Sequence, residues 1–341
     1  VKILIIRFSS IGDIVLTSPV VRCVRKKYPH AELHFCTKKQ YAGLVALNPY
    51  INKLLLLDDD LDVLIKQIKS EQYTYIIDLH NNLRTRLIKL RVKSKFYAFP
   101  KINIKKWLAV NFKNVKVLPP VHVVDRYFEA VKNLEVYNDN EGLNFFTPEV
   151  KLEDIAPQLK PHDYIAVAIG AQFATKQMPA EKIISLCLKI NYPVVLLGGK
   201  NDTAMGEQIS LACGHVLNFC GKLNIYESAG LIKNAALVIS HDTGMMHIAA
   251  AYQKTIVSLW GSTIPEFGMY PYFGKTLSNS ELLSAKNSEN RNLFISEVNG
   301  LSCRPCSKIG FKQCPKKHFN CMNRQDEFKI MGFIEKALSI R

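Results

Sequence analysis

Three short stretches of this 341-residue chain gather the residue types that activate a hydroxyl and hold an anion. The first is Ser9-Ser10-Ile11-Gly12-Asp13, directly after an apolar run. A carboxylate at that strand tip could take a proton from an incoming hydroxyl, or it could simply cap the following helix. The second is Gly170 to Pro179, G-A-Q-F-A-T-K-Q-M-P, which offers backbone N–H groups, the Thr175 hydroxyl and the Lys176 ammonium in one loop. That set suits a diphosphate, with Lys176 neutralising a leaving group; a plain surface lysine is the alternative. The third is Ser240 to Ala251, S-H-D-T-G-M-M-H-I-A-A-A. The apolar Ala235 to Ile239 reads as a buried strand, Asp242-Thr243-Gly244 as a turn, and Met246 to Tyr252 as a helix. Free backbone N–H groups at such a turn favour a phosphate, with Asp242, Thr243 and His247 beside it. An N-capped core helix with a buried histidine accounts for the same letters. Met245, Met246, Ala249 and Ala250 are expected to face a core.

Two further groups stand out. H-N-N-L-R-T-R, His80 to Arg86, follows a strand and places Arg84 and Arg86 where guanidinium forks could meet an acceptor's carboxylate or phosphate. Cys303, Cys306, Cys314 and Cys321, with His318 nearby, have the soft ligands of a structural zinc site, although their spacing departs from paired C-x2-C. A reduced cysteine-rich loop or a disulfide pair fits equally, and zinc is not counted as a cofactor. No dinucleotide fingerprint and no Walker-type phosphate loop occurs.

Elements that could position these groups alternate along the chain. Expected strands are Lys2 to Phe8, Glu32 to Thr37, Lys53 to Leu57 and Tyr73 to Leu79. Helices are expected at 14–28, with Pro19 a kink, at 41–47 and 61–70, and at 122–136 after the basic stretch. The rhythm breaks over Tyr137 to Asp163, which carries Asn-Asp-Asn, Gly142 and three prolines, so the interdomain linker is placed there. Alternation resumes from Tyr164, and Phe328 to Leu338 is a last amphipathic helix. The fold class is α/β with two doubly wound parallel sheets, whose carboxyl strand ends face across a cleft where ligands bind.

Charge is uneven. The chain carries +16, yet Arg84 to Lys116 holds 11 Lys/Arg and Cys303 to Arg324 holds 6, neither with an acid. The rest is close to neutral, which directs the protein at polyanions: nucleic acid, anionic lipid or a phosphorylated small molecule. Five cysteines scatter among apolar segments as reduced core residues, and no export signal or membrane span is seen, so a reducing, cytoplasmic compartment is expected.

Together, R-F-S-S-I-G-D-I-V-L-T-S-P (Arg7 to Pro19), G-A-Q-F-A-T-K-Q-M-P, H-D-T-G-M-M-H-I-A-A-A and S-L-W-G-S-T (Ser258 to Thr263) resemble glycosyltransferase family 9, the lipopolysaccharide heptosyltransferases. The resemblance implies a GT-B fold, with an acceptor-binding domain at 1–150, a nucleotide-sugar domain at 151–325 and a helix at 326–341 returning to the first domain. It implies inverting, metal-independent transfer without a cofactor, usually from ADP-L-glycero-D-manno-heptose. Asp13 matches the family's general base, Lys176 its phosphate-binding lysine, Asp242, Thr243 and Gly244 its donor-site motif, and His247 the helix histidine. Donor contacts are expected at Gln172, Thr175, Lys176, Asp242, Thr243, Gly244, Met245 and His247. Acceptor contacts are expected at Ser9, Ser10, Gly12, His80, Arg84 and Arg86. Gln177-Met178 departs from an aromatic that many members carry before the proline. The expected partners are a nucleotide sugar and an anionic glycolipid, with a monomer peripheral on the inner membrane face and no nucleic acid. Trp107, Leu108, Val110 and Phe112 among lysines would make that membrane contact. A sugar-nucleotide epimerase, or a non-enzymatic polyanion binder, are the rival readings.

Overall fold

The computed structural model describes residues 1–339, which form two compact units. The first comprises Val1–Lys101, Val121–Pro148 and Tyr272–Lys275; the second comprises Ile102–Pro120, Glu149–Pro271 and the chain from Thr276 onward.

In the first unit, β1 (Lys2–Ile6), β2 (Glu32–Lys38), β3 (Lys53–Leu57), β4 (Tyr75–Asp78) and β5 (Lys95–Ala98) make one parallel sheet of order β3-β2-β1-β4-β5. Helices α1 (Ile11–Val15), α2 (Ser18–Lys27), α3 (Leu61–Ser70) and α4 (Leu83–Arg91) connect the strands. The near-continuous apolar runs of β1 and β4 follow from burial on both faces. Leu4, Ile6, Phe8, Leu55, Leu64, Ile76 and Ile88 share one core, and each such side chain contributes about 1.5–3 kcal/mol of transfer free energy. Helix α5 (Asn103–Phe112) belongs to the second unit, and α6 (Val123–Phe128) returns to the first.

The second unit begins, after α7 (Leu152–Ile155), with β6 (Ile165–Ala168), α8 (Ala180–Cys187), β7 (Val194–Leu197), α9 (Thr203–Ala212), β8 (Val216–Asn218) and α10 (Ile225–Asn234). It continues with β9 (Leu237–His241), α11 (Gly244–Ala251), β10 (Ile256–Trp260), α12 (Asn279–Lys286) and β11 (Leu293–Glu297), and ends in α13 (Asn320–Asn323) and α14 (Glu327–Ser339). The six-stranded sheet is parallel throughout, of order β11-β10-β9-β6-β7-β8.

Several expectations are corrected. The helix expected at 14–28 is two helices, because Pro19 starts α2 in its first turn, where a missing N–H costs nothing. The basic stretch contains a strand, β5, and its later part, Ile102 onward, belongs with the second unit. The reason is packing: Ala109 and Leu118 bury against Ile264 and Phe267. The final helix does not return to the first unit. Its Ile330, Phe333 and Ile334 enter the core of the second sheet, and Glu327 is fixed by Lys182, Lys189 and Ser185 of α8 and its neighbouring turn.

Candidate functional site

Both sheets have a point where chain order reverses, and there the loops after two adjacent strands diverge to leave a crevice. In the first unit this lies between β1 and β4, paired Ile6 to Asp78. In the second it lies between β6 and β9, paired Ala168 to Ser240. The sequence-predicted groups sit at these two points.

At the first point Arg7, only 7% exposed, is the hub. Its Nε donates to Ser9 O at 2.8 Å, its Nη1 to Leu79 O at 2.5 Å, and its Nη2 pairs with Asp13 Oδ1 at 2.7 Å. Asp13 sits at the third position of α1, and its Oδ2 accepts from Ser10 Oγ at 2.9 Å and Ser10 N at 3.3 Å. Burial pushes this carboxyl up, but the Arg7 charge and the Ser10 bonds prevail and hold it at about 2. Asp13 is therefore a fixed anion with part of its side chain, 22%, open to solvent. Beside it, burial and the charges of Arg7 and Lys101 lower His80 to about 3, which keeps that ring neutral. Asp78 accepts from the His80 and Asn81 backbones at 2.8 and 2.7 Å and so shapes the turn that presents His80.

Arg84 and Arg86 are both exposed on α4, with the buried Thr85 between them. Two residues apart on a helix, their side chains point to different sides. Gly12 is buried and contributes only backbone, while Ser9 and Ser10 line the turn.

At the second point Lys176 Nζ lies 2.6 Å from Asp242 Oδ2 and 3.1 Å from Asp242 O. Both side chains are largely withdrawn from water, 16% and 10% exposed. Thr263 Oγ1 also donates to Asp242 Oδ2, at 2.8 Å. Lys176 is thus no free surface lysine. The backbone of the following Met178 donates to His241 Nε2 at 2.8 Å, and burial lowers His241 to about 4, so the neutral ring stays an acceptor. Asp242, Thr243 and Gly244 lead directly into α11, whose first N–H groups have no partners within the helix. Met246, Ala249, Ala250 and His247 are buried; Met245 is half-buried at the first turn and only partly in the core. Gln172 is exposed on the same loop as Lys176.

Thr175 behaves differently from its expected donor contact. Its hydroxyl accepts from Phe311 N at 2.7 Å and from Ser262 Oγ at 3.0 Å, and it donates to Phe311 O at 3.2 Å. Nothing of that hydroxyl is left for a ligand. Thr175 anchors the loop, and Gly261 allows the approach, since a Cβ there would stand 2.6 Å from Thr175 O.

Arg7, Thr263 and His241 were missed as functional residues, although each lies inside a quoted motif. The available signal was an arginine ending an otherwise apolar strand. A second network, Glu297 with Lys286 at 2.5 Å and Arg304 at 2.7 Å, also escaped notice. Arg304 donates onward to Gly261 O and Thr263 O and so supports the residue that holds Asp242.

Residues 62–292 match the model of glycosyltransferase family 9 (heptosyltransferase). The chain is 26% identical to lipooligosaccharide heptosyltransferase 2 of Haemophilus influenzae, covering 78% of this chain and 85% of that one. It is 25% identical to lipopolysaccharide heptosyltransferase 3 of Escherichia coli, over 74% and 80%. A family 9 glycosyltransferase structure from Veillonella parvula superposes over 100% of this chain and 98% of that one, with TM-score 0.77 and 19% identity. ADP-heptose lps heptosyltransferase II of E. coli does so over 99% and 98%, with TM-score 0.69 and 17% identity. Two parallel α/β units of this kind make the GT-B fold. With the family model spanning most of the chain, the protein belongs to glycosyltransferase family 9 and is a glycosyltransferase.

Proposed function

We propose that the chain transfers heptose, with inversion, from ADP-heptose to a lipopolysaccharide core or a related anionic glycolipid. The observation that carries this is the Lys176–Asp242–Thr263 constellation, 2.6 and 2.8 Å, at the reversal point of the second sheet. A diphosphate arriving there exchanges the Asp242 carboxylate for its own oxygens on Lys176 and takes the free N–H groups at the start of α11. Asp242, released from the ammonium and still bonded to Thr263, then accepts hydroxyls of the sugar or ribose. Relatives named for heptose transfer support the donor. The acceptor hydroxyl gives its proton to Asp13 as it attacks the anomeric carbon opposite the nucleotide. Lys176 offsets the charge of the departing diphosphate, and this reaction uses no metal. Arg7, Arg86 and Lys101 make the acceptor side cationic, as a phosphate-bearing or acidic glycolipid requires. The protein acts as a monomer peripheral to the cytoplasmic membrane face; among the described residues no helix is long and apolar enough to cross it.

The test is turnover of ADP-heptose with heptose-deficient lipopolysaccharide, read by mass spectrometry. Asp13→Asn should lower kcat by about 10²–10⁴-fold with ADP affinity intact. Lys176→Ala should weaken ADP binding in calorimetry. Near-normal turnover in the first variant, or unchanged ADP affinity in the second, removes that residue from its role.

A further inference from the structure

Between Glu297, at the end of β11, and Asn320, at the start of α13, the chain forms no helix and no strand. Loops this long without regular structure are uncommon in compact domains and need something to hold them. This one contains Cys303, Cys306 and Cys314, and Cys321 follows in the first turn of α13. Cys303, Cys306 and Cys314 are half-buried and Cys321 is buried. The four thiols share this one loop and the turn that closes it. They are not closed upon one another: among the described residues, the trio whose ligand atoms all lie within 4.8 Å is Glu32, His34 and Glu71. That trio already surrounds an ammonium, because Lys2 Nζ reaches Glu32 at 3.1 Å and Glu71 at 2.7 Å.

We propose that Cys303, Cys306, Cys314 and Cys321 bind one thiophilic metal ion of the zinc class, and that this centre braces the loop carrying Lys176. Binding a divalent ion through four thiolates releases four thiol protons to solvent and leaves a centre of net charge −2. The segment is built for that charge. Arg304, Lys308, Lys312, Lys316 and Lys317 lie among the ligands without one acidic residue. His318 fits beside the centre and not within it. Its Nδ1 accepts from Asn320 N at 3.0 Å, so the neutral ring carries its proton on Nε2, which faces Cys303 Sγ at 3.8 Å. A ring N–H aimed at a thiolate is the outer support that metal-bound sulfur commonly has.

The brace follows from the loop's outward bonds. Cys306 N donates to Ser262 O at 3.1 Å, and Phe311 holds Thr175 through both its N–H and its carbonyl. Gly310, at φ +114°, packs where a Cβ would stand 2.6 Å from Phe173 Cβ. On the other side Lys113 Nζ donates to the carbonyls of Cys303 at 3.2 Å and Pro305 at 2.7 Å. Drawing the sulfurs together therefore sets Thr175, the residue before Lys176. The coupling to nucleotide rests on the donor site proposed above; the metal site does not.

The test begins with metal content of the full chain, purified anaerobically, by mass spectrometry. About one zinc or iron per chain, with four thiols shielded from a thiol reagent until a chelator is added, supports the centre. Cobalt(II) added to the reduced, metal-free chain should give intense thiolate-to-metal absorption and tetrahedral visible bands. Cys306→Ser and Cys314→Ser should weaken those bands, while Cys23→Ser leaves them intact. His318→Ala should retain the bands with about 10–100-fold weaker cobalt affinity. Absence of bound metal together with absence of cobalt bands, or disulfides among the four as isolated, overturns the site. These readouts use the wild-type chain and stand even where a cysteine variant does not fold. Chelation should weaken ADP binding by about tenfold or more; unchanged ADP affinity overturns the brace. Failure of the metal-loaded chain to bind ADP would strike the donor reading and leave the metal count standing.

Discussion

Arg7 makes Asp13 what it is. Burial raises the carboxyl, and the charge of the guanidinium is the largest of the effects that offset it. Asp13 stays charged down to about 2, so its contribution to stability is complete above the unfolded value of about 3.9 and is lost as pH falls through about 2. It therefore sets no acid limb near neutrality. In Arg7→Gln we expect the acid limb of kcat/KM to move up by about 1–3 pH units, measured on a series of buffers at constant ionic strength. A limb that stays in place would show that Arg7 does not govern Asp13. Residue types told part of this in advance. Asp13, Lys176 and Asp242 are polar residues in the turns that follow apolar runs, a pattern visible in one dimension. Thr263 and Arg304 act on Asp242 from 21 and 62 residues away in the chain, and that proximity exists only once β9 and β10 lie side by side.

At the scale of elements, alternation read correctly for β1, β4, β6 and β9, which are buried on both faces, yet it passed over the equally buried β11. It failed where lysines dilute the pattern. β5, Lys-Phe-Tyr-Ala, has no fully buried residue and vanished into the basic stretch. The same dilution hid α5, whose two faces differ in kind. Ala109 is buried, while Ile104, Trp107 and Phe112 are 76%, 50% and 67% exposed, with the two aromatic rings 5.7 Å apart. An apolar face left in water beside Lys105 and Lys116 suits shallow insertion among anionic headgroups. Trp107→Ala with Phe112→Ala should reduce sedimentation with anionic vesicles at low salt. Phe328→Ala, a still more exposed aromatic on α14, should not. Equal loss in both variants would point to nonspecific stickiness.

For the whole molecule, two parallel sheets were legible from the repeated rhythm and from the single break near residue 150. What could not be read was that the chain crosses between units more than once, because a crossing segment is recognised by what it packs against. Tyr272 is the clearest instance. It is fully buried in the first unit, its hydroxyl donating to Asp125 at 2.8 Å and accepting from Asn138 at 2.6 Å, with the His122 ring 4.6 Å away. Residues 1–148 expressed alone should therefore show weak amide protection around 122–138, and adding residues 272–275 in trans as a peptide should raise it. Full protection without the peptide would make Tyr272 dispensable. The same feature sets a timetable on the ribosome. Nascent domains usually complete in the order they emerge, yet the first unit here must wait for about 125 further residues, roughly 6–25 s of synthesis at 5–20 residues per second. Through that interval its pocket for Tyr272 stands open, and the growing second sheet takes shape beside an unfinished neighbour. The protein is assembled by returning to its beginning near its end.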